Sequence, residues 1–277
     1  MKSMQKKWKV RILILCKTYP SPSAKYAETS CVAGMDENGN LIRLFPVPFR
    51  LVSNDQQFKK WQWITALVEK SPDRRRESHK VFVDTIEPCE VLPPRNEWHD
   101  RRFWLEKLPV FNDFNSLERA RQEEGVTLAL LRPHNVKELL ITRASADEWT
   151  EKELEKLQYM QQQASLFEED IPALKRLQKI PYDFHYKYEC LAEGDLIEYK
   201  HKIVDWEACQ LYRNVVRSHG KAGWEVPFRQ KIFDELPKCD LVFLMGTIHR
   251  FPDQWLIVSL IYPPKRPPEA TLQSSLF

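Results

Sequence analysis

The stretch VRILILC at residues 10–16 is nearly all apolar and rich in branched side chains. Such a run is typical of a β-strand covered on both faces, so we predict a central strand close to the start of the chain. A hairpin is predicted over residues 30–45, because Asn38-Gly39 is a turn pair that tolerates positive φ. Further strand patterns lie at residues 63–69, 81–91 and 126–132. The first half is therefore predicted to be β-rich, as a barrel or a curved sheet.

The second half contains a segment in which aromatic and polar residues alternate, at residues 182–190. Its aromatic side chains share one face of a strand, and we expect that face to be buried. A turn at residues 192–195 predicts a hairpin with residues 196–204, after which Asp205 is expected to cap a helix. Two apolar strands follow at residues 241–248 and 255–262. We predict an α+β protein whose C-terminal half is mixed α/β with antiparallel strands and that shows no internal repeat at domain scale.

The composition indicates a globular protein and argues against several classes. With 43% hydrophobic residues, the chain of 277 residues has enough apolar side chains for a large core. Its 6 cysteines include no C-x-x-C pair, so neither a zinc ribbon nor a disulfide scaffold is indicated. No apolar run reaches the roughly 18–20 residues that span a bilayer, and we expect a cytoplasmic protein with no membrane partner.

The glycine content and the net charge argue against further classes of protein. The 7 glycines form no phosphate-binding loop of the P-loop or Rossmann type, which argues against an ATPase of that class or a dinucleotide-dependent enzyme. The formal net charge of +3 is too small to mark the whole surface as a nucleic-acid partner. Any basic binding surface is therefore expected to be local.

Two similar pentapeptides occur in the chain, QASLF at residues 163–167 and QSSLF at residues 273–277. The second follows a proline-rich run at residues 263–268, which we interpret as a stiff spacer. A polar tail beyond such a spacer has no core to bury Leu276 and Phe277. Apolar residues in this position are best explained as anchors that fill a groove on another protein.

Both pentapeptides resemble the motif Gln-x-Ser-Leu-Phe by which bacterial polymerases and repair proteins bind the replicative sliding clamp. The resemblance implies a bacterial sliding clamp as partner, and DNA as the site of action. The residues it implies in clamp contact are Gln163, Leu166, Phe167, Gln273, Leu276 and Phe277. The alternative is that the first pair of apolar residues packs onto the second domain and that the second pair folds back over a sheet edge.

A loop rich in hydroxyls, lysines and tyrosines follows the first strand at residues 17–29. Lysines and hydroxyls position a nucleic-acid backbone, and tyrosines stack on unpaired bases. Arginines of the hairpin region and of the charged bend add basic side chains. The predicted nucleic-acid-binding residues are Lys17, Tyr19, Ser21, Ser23, Lys25, Tyr26, Arg43, Arg50, Arg74, Arg75 and Arg76. The alternative for the loop and for the arginine triplet is an ordinary solvated turn.

Domain limits follow from a capping box and from proline. Ser145 begins a capping box that predicts a polar helix, and Ile171-Pro172 ends the connector behind it. The predicted segments are residues 1–145 as a β-rich nucleic-acid-binding domain, 146–175 as a helix and connector, 176–262 as an α+β domain, and 263–277 as a proline-rich spacer and docking tail.

Catalytic patterns are sparse. Lys17, Tyr26 and Glu28 are the candidates for an acid/base group beside a bound nucleotide. The spacing Glu198-Tyr-Lys200 occurs in metal-dependent nucleases, with Asp183 as the possible third member. The predicted hairpin places Lys187 opposite Lys200, however, and leaves Asp183 at the far end of the ladder. The histidines have no metal-binding spacing. No cofactor is identified, and a divalent metal is expected only if the chain is a nuclease.

These features predict a DNA-processing or DNA-surveillance factor that the sliding clamp recruits to DNA. Candidate roles are a nuclease, DNA repair, and defence against phages and mobile elements. The first alternative is a non-catalytic adaptor that links the clamp to another protein. The second is an enzyme that acts on a small nucleotide.

Overall fold

The computed structural model describes residues 6–23, 27–50, 52–73, 75–146, 148–155, 157 and 177–266, with Ser23 and Ala27 described in their backbone only. It confirms the predicted α+β class, with a barrel-like sheet in the N-terminal half and a mixed sheet with helices in the C-terminal half. The clamp-like pentapeptides at residues 163–167 and 273–277 lie outside the described residues. None of the helices within the described ranges is long and apolar enough to cross a membrane.

The first seven strands build one barrel. They are β1 (Lys7–Lys17), β2 (Ser21–Ser23), β3 (Ala27–Met35), β4 (Leu41–Val47), β5 (Gln62–Lys70), β6 (Ser78–Val81) and β7 (Glu87–Val91). The order is β1-β3-β4-β6-β5, and β5 pairs again with β1, which closes the ring. β4 and β6 are parallel, whereas the other pairs are antiparallel. Counted by its five ring strands, the barrel has the order 1-2-3-5-4-1 of an OB-fold.

β1 closes this barrel because it is long and bends. Its first part pairs with β5 and its last part with β3, and the register shifts between Ile14 and Cys16. A bulge of this kind bends a strand and increases its twist. The neighbouring Gly34 allows the close approach of β1 and β3, since a Cβ there would lie 2.1 Å from the carbonyl oxygen of Leu13.

The remaining strands build a second barrel. They are β8 (Val110–Phe111), β9 (Leu128–Leu131), β10 (Asn135–Arg143), β11 (Tyr182–Ala192), β12 (Asp195–Ile203), β13 (Val242–Ile248) and β14 (Phe251–Ile261). The order is β10-β11-β12-β14-β13-β9-β8. Only residues 132–134 separate β9 from β10, so the two act as one bent first strand, which pairs with β13 through β9 and with β11 through β10. The second barrel then has the same order, including a parallel third and fifth strand, β12 and β14.

The helices cover or connect the barrels. They are α1 (His99–Leu105), α2 (Phe114–Glu124), α3 (described over residues 151–155), α4 (Trp206–Gly223) and α5 (Glu225–Arg229), with a π-helix at Gln230–Glu235. Short 3-10 helices lie at Asn54–Gln56, Val83–Thr85, Asn96–Trp98 and Leu236–Lys238. α4 follows the third strand of the second barrel and precedes the fourth, and its Ala208, Tyr212 and Val215 belong to the core of that barrel.

The core has three parts. Ile12, Ile14 and Val32 belong to the interior of the first barrel, and Tyr186, Tyr188 and Phe243 belong to the interior of the second. A third cluster lies between the barrels and joins Trp61 and Trp63 of the first to Leu244, Val258 and Ile261 of the second. We call this third cluster the shared layer. Because both barrels bury it, the two halves form one packed unit.

The structure differs from several predicted limits. Strands β8, β9 and β10 belong to the second barrel, so the change of sheet lies earlier than the predicted limit at residue 145. The predicted strand at residues 81–91 is interrupted by a 3-10 turn, which divides it into β6 and β7. The capping box forms at Thr150 and Glu153 rather than at Ser145, because the Glu153 carboxylate accepts from both the amide and the hydroxyl of Thr150. The first correction depends on pairing between distant strands, which local strand patterns do not show.

Candidate functional site

Four loops are used to describe the candidate site, two in each barrel. In each barrel the loop between the first and second ring strands is L12, and the loop between the fourth and fifth is L45. L12 connects β1 to β3 in the first barrel and β10 to β11 in the second, and L45 connects β5 to β6 and β13 to β14. In OB-folds L12 and L45 flank the ligand-binding face.

Lys17 lies at the end of β1 among aromatic rings. Its Nζ donates to the Phe58 carbonyl at 2.9 Å, lies 3.6 Å from the ring centroid of Phe49, and is 5.5 Å from that of Trp206. Burial lowers the pKa of Lys17 to about 8, while Glu207 and Asp205 act in the opposite direction. The ammonium is therefore held by ring faces and one carbonyl and is easier to deprotonate than a surface lysine.

The low pKa of Lys17 predicts a pH-dependent contribution to stability. Its folded value of about 8 lies below the ordinary 10.5, so the unfolded chain holds the proton more tightly. The free energy of unfolding should therefore rise from pH 8 to 10.5 through this group, and the contribution is lost as pH falls through 8. Urea unfolding across this window should show a smaller rise for Lys17→Met than for the unaltered chain. Identical profiles would contradict the proposed burial of the charge.

Tyr19 connects the two L12 loops. Its hydroxyl donates to the carbonyl of Gln178 at 2.6 Å, and its ring centroid lies 5.9 Å from that of Trp206 on α4. Burial raises the pKa of Tyr19, and Arg213, which donates to the side chain of the same Gln178, opposes that shift. We call Lys17, Tyr19, Phe49, Gln178 and Trp206 the loop junction, since it is where the L12 loops of the two barrels meet.

Glu28 is paired with Arg50. Its Oε2 accepts from Arg50 Nη1 at 3.0 Å, and only 4% of the residue is exposed. Burial raises the pKa of Glu28 and Arg50 lowers it, whereas the carboxylates that act on Lys17 are Glu207 and Asp205. No hydrogen bond or ion pair joins Lys17 to Glu28 in the part of the chain that the structure describes, and Tyr26, the third member of the predicted acid/base group, lies outside it. Glu28 Oε1 has no hydrogen-bond partner among the described residues.

Two of the predicted basic residues hold the barrels together instead of facing solvent. Arg43 is only 3% exposed and donates to the Thr127 carbonyl at 2.8 Å and to Glu77 Oε1 at 3.1 Å. Arg75 donates to the Thr247 carbonyl at 3.1 Å and pairs with Asp73. The second barrel thus covers the face of β4 that carries Arg43, which corrects its predicted role as an accessible nucleic-acid contact.

The other predicted contact residues are distributed over the surface or lie outside the description. Arg76 and Ser21 are exposed, and Arg50 is paired with Glu28. Lys25 and Arg74 lie outside the described residues, and the side chain of Ser23 is not described. Of the eleven residues predicted to bind nucleic acid, the structure brings Lys17 and Tyr19 together in the loop junction, with Arg50 acting on the pKa of Tyr19.

Sequence reasoning missed a basic groove beside the loop junction. It has a volume of about 690 Å³ and is lined by residues of the second L12 and of α4, including Trp149, Lys179, Arg213, Arg217 and Lys221. A sequence signal exists for it, because no Asp or Glu occurs between Glu207 and Glu225. Within the described ranges, no group of three His, Cys, Asp or Glu side chains could hold a metal ion.

Fold and site together define a protein of two OB-type barrels that share one core and join their L12 loops. Residues 111–277 match the family described as Domain of unknown function (DUF8757), and the chain belongs to that family. Residues 8–107 match a second family model, described as Domain of unknown function (DUF8758). One match ends just after α1 and the other begins at Phe111 in β8, where the chain passes from one barrel to the other. No curated protein matches the chain.

Proposed function

We propose that this protein binds single-stranded DNA and that the replicative sliding clamp recruits it to DNA in the cytoplasm. The observation that carries DNA binding is the OB-type strand order, which occurs twice. OB-folds bind oligonucleotides between L12 and L45. This part of the proposal begins as an analogy at the level of the fold, and the side chains of the loop junction give it chemical support.

The loop junction has the side chains that single-strand binding uses. Tyr19 and Trp206 are aromatic and lie at the point where the two L12 loops meet, with Arg50 and Arg213 close to Tyr19. Aromatic faces stack on bases of any sequence, and nearby cations attract the phosphates. This combination favours binding to a strand with little base preference.

Recruitment by the clamp is supported by the sequence. The pentapeptides QASLF and QSSLF resemble clamp-binding peptides, and one of them follows a proline-rich spacer at the end of the chain. Two copies would increase the apparent affinity for a ring with several identical grooves. The processing or surveillance of DNA would then take place wherever the clamp is loaded.

A second candidate is a non-catalytic adaptor between the clamp and another protein. It is favoured by Arg43 and Arg75, whose guanidinium groups donate to carbonyls of the second barrel. An adaptor would bind the clamp but would have little affinity for DNA.

Direct binding measurements separate these candidates. The unaltered full chain should bind a fluorescent oligothymidylate of about 20 nucleotides, longer than the site of a single OB-fold. The logarithm of its affinity should fall linearly with the logarithm of the salt concentration. The chain should also elute together with purified bacterial sliding clamp in size-exclusion chromatography. Clamp binding without DNA binding would identify the adaptor, and failure in both measurements would overturn the proposal.

A further inference from the structure

The outward face of α4 is basic from Arg213 onward. Tyr212 and Val215 of this helix face the core, whereas Arg217 and Lys221 are exposed and Arg213 is half-buried. Arg213 and Arg217 are one helical turn apart, which separates them by about 6 Å along the axis. The chain passes through a left-handed Gly220 (φ 74°), and Lys221 follows directly.

The groove against this face contains an excess of positive charge. Its lining includes four cations, Lys179, Arg213, Arg217 and Lys221, and a single carboxylate, Glu148. Arg217 and Lys221 make no ion pair with any described residue. A concave surface lined by one sign of charge concentrates its field and attracts ions of the opposite sign.

Uncharged oxygens hold the remaining groups of the groove in place. Lys179 Nζ donates to the Glu148 carbonyl at 3.1 Å and lies 5.3 Å from the ring centroid of Trp149. Trp149 Nε1 donates to the Leu177 carbonyl at 2.7 Å, and Arg213 Nη2 donates to Gln178 Oε1 at 3.2 Å. The buried Arg213 Nε has no partner among the described residues. Carbonyl and amide oxygens orient these cations without neutralising them, so their charge is available to a ligand.

The groove is continuous with the loop junction through one residue. Gln178 lines the groove, and its carbonyl accepts the hydrogen bond from Tyr19. A strand that lay along Arg213 and Arg217 would therefore pass Gln178, which contacts Tyr19, and Trp149, whose indole N–H donates to the neighbouring Leu177 carbonyl. Cations for the phosphates would lie beside rings for the bases, which is the arrangement of single-strand sites.

From this arrangement we infer that the groove between α4 and residues 148–149 and 177–181 binds the phosphate backbone of single-stranded DNA. The inference rests on the proposed function and adds to it the path of the strand. Arg213, Arg217, Lys221 and Lys179 neutralise the phosphates, and Trp149 stacks on a base.

The test compares a groove variant with a control of the same net charge. The groove variant is Arg213→Gln, Arg217→Gln and Lys221→Gln. The control is Lys6→Gln, Lys7→Gln and Lys9→Gln, whose lysines are exposed at the far end of β1 from Lys17. Each phosphate contact contributes about 0.7 to the salt slope for single strands, so the groove variant should lower the slope by about 2 and the affinity for the oligothymidylate by about tenfold or more. The control should keep the affinity and the slope of the unaltered chain.

The possible outcomes distinguish failure of the groove inference from failure of the proposed function. If the unaltered chain binds the oligonucleotide and the groove variant binds equally well with the same slope, the groove inference is overturned and the proposed function stands. If the unaltered chain binds no DNA, the function itself fails. Tight binding of oligouridylate in place of oligothymidylate would overturn the choice of DNA. Should the triple variant not fold, Arg217→Gln with Lys221→Gln changes only exposed side chains, and the expected loss of slope is about 1.4.

Trp149 provides a separate check of the same groove. Its indole would contribute stacking and no charge, so Trp149→Ala should weaken binding while leaving the salt slope unchanged. A change in slope of the size seen for the groove variant would show that the substitution disturbs the cations, and would contradict the stacking role.

Discussion

Deleting residues 273–277 and changing Leu166 and Phe167 to Ala is expected to abolish binding to purified bacterial sliding clamp. Short docking peptides depend on a few apolar anchors that fill pockets, and this variant removes the anchors of both copies. Surface plasmon resonance with immobilised clamp measures the loss. The melting temperature should stay nearly unchanged, because the anchors are expected to serve the partner and not the protein's own core.

Variants with one copy and a matched control sharpen this experiment. If both peptides engage one ring, removing either should weaken binding by a factor of about 100 or more, since avidity is lost. Ser274→Ala changes the open position of the motif and should bind like the unaltered chain. Clamp binding that survives the loss of both peptides would contradict the docking role. A large fall in stability from Leu166→Ala with Phe167→Ala would instead support packing against the second domain.

Asp205→Leu is expected to lower the free energy of unfolding by about 3–5 kcal/mol, because it leaves a buried lysine without its buried partner. The Asp205 carboxylate accepts from the amides of Leu260 and Glu207 at 2.8 and 2.6 Å and lies 3.9 Å from Lys60 Nζ. The side chain of Lys60 is 6% exposed. Burial lowers the pKa of Lys60, and Asp205 and Glu207 more than offset this, so the net shift is upward. Chemical denaturation followed by circular dichroism measures the loss.

Two further variants test the cause of this loss. Glu207 also accepts from Lys60, at 3.0 Å, but its side chain is 51% exposed, so Glu207→Gln should cost less than about 1 kcal/mol. Replacing both buried charges, in Lys60→Met with Asp205→Leu, should recover part of the loss because no unpaired charge remains. An Asp205→Leu variant as stable as Glu207→Gln would contradict the stabilising role of the buried pair.

Much of the fold follows from local pattern. The alternation at residues 182–190 predicts a strand with a buried aromatic face, and Tyr186 and Tyr188 are fully buried. The predicted hairpin register is also confirmed, since Lys187 lies opposite Lys200. Asp205 caps α4 as predicted, because its carboxylate accepts from the amide of Glu207. In each case residues close in sequence decide the structure.

Closure of the barrels depends on residues far apart in the chain. Val10 pairs with Ala66, and β9 pairs with β13, which no short-range pattern indicates. The same strand order therefore occurs twice although the sequence contains no visible repeat. A period-2 pattern fixes which face of a strand is buried, but the choice of neighbouring strand requires the complete fold.

The candidate site was predictable to the extent that it lies in one loop. The composition of residues 17–29 indicates a binding loop, and the structure places Lys17 and Tyr19 in the loop junction. Arg43 and Arg75 resemble surface cations in sequence, and only the position of the second barrel shows that they are engaged. The basic groove escaped prediction because its residues come from two segments, around Trp149 and around Arg217.

The shared layer has a consequence for truncation of the chain. A fragment that stopped at residue 107, where the first family match ends, would keep Trp61 and Trp63 but lose Leu244 and Ile261, which cover them. The indole rings of both residues would then be exposed to solvent, and exposed apolar patches of this kind promote aggregation. The chain should therefore not be divided into separate fragments at the sequence boundary between the two families. Proteolytic cleavage there would leave two fragments that remain associated through the shared layer.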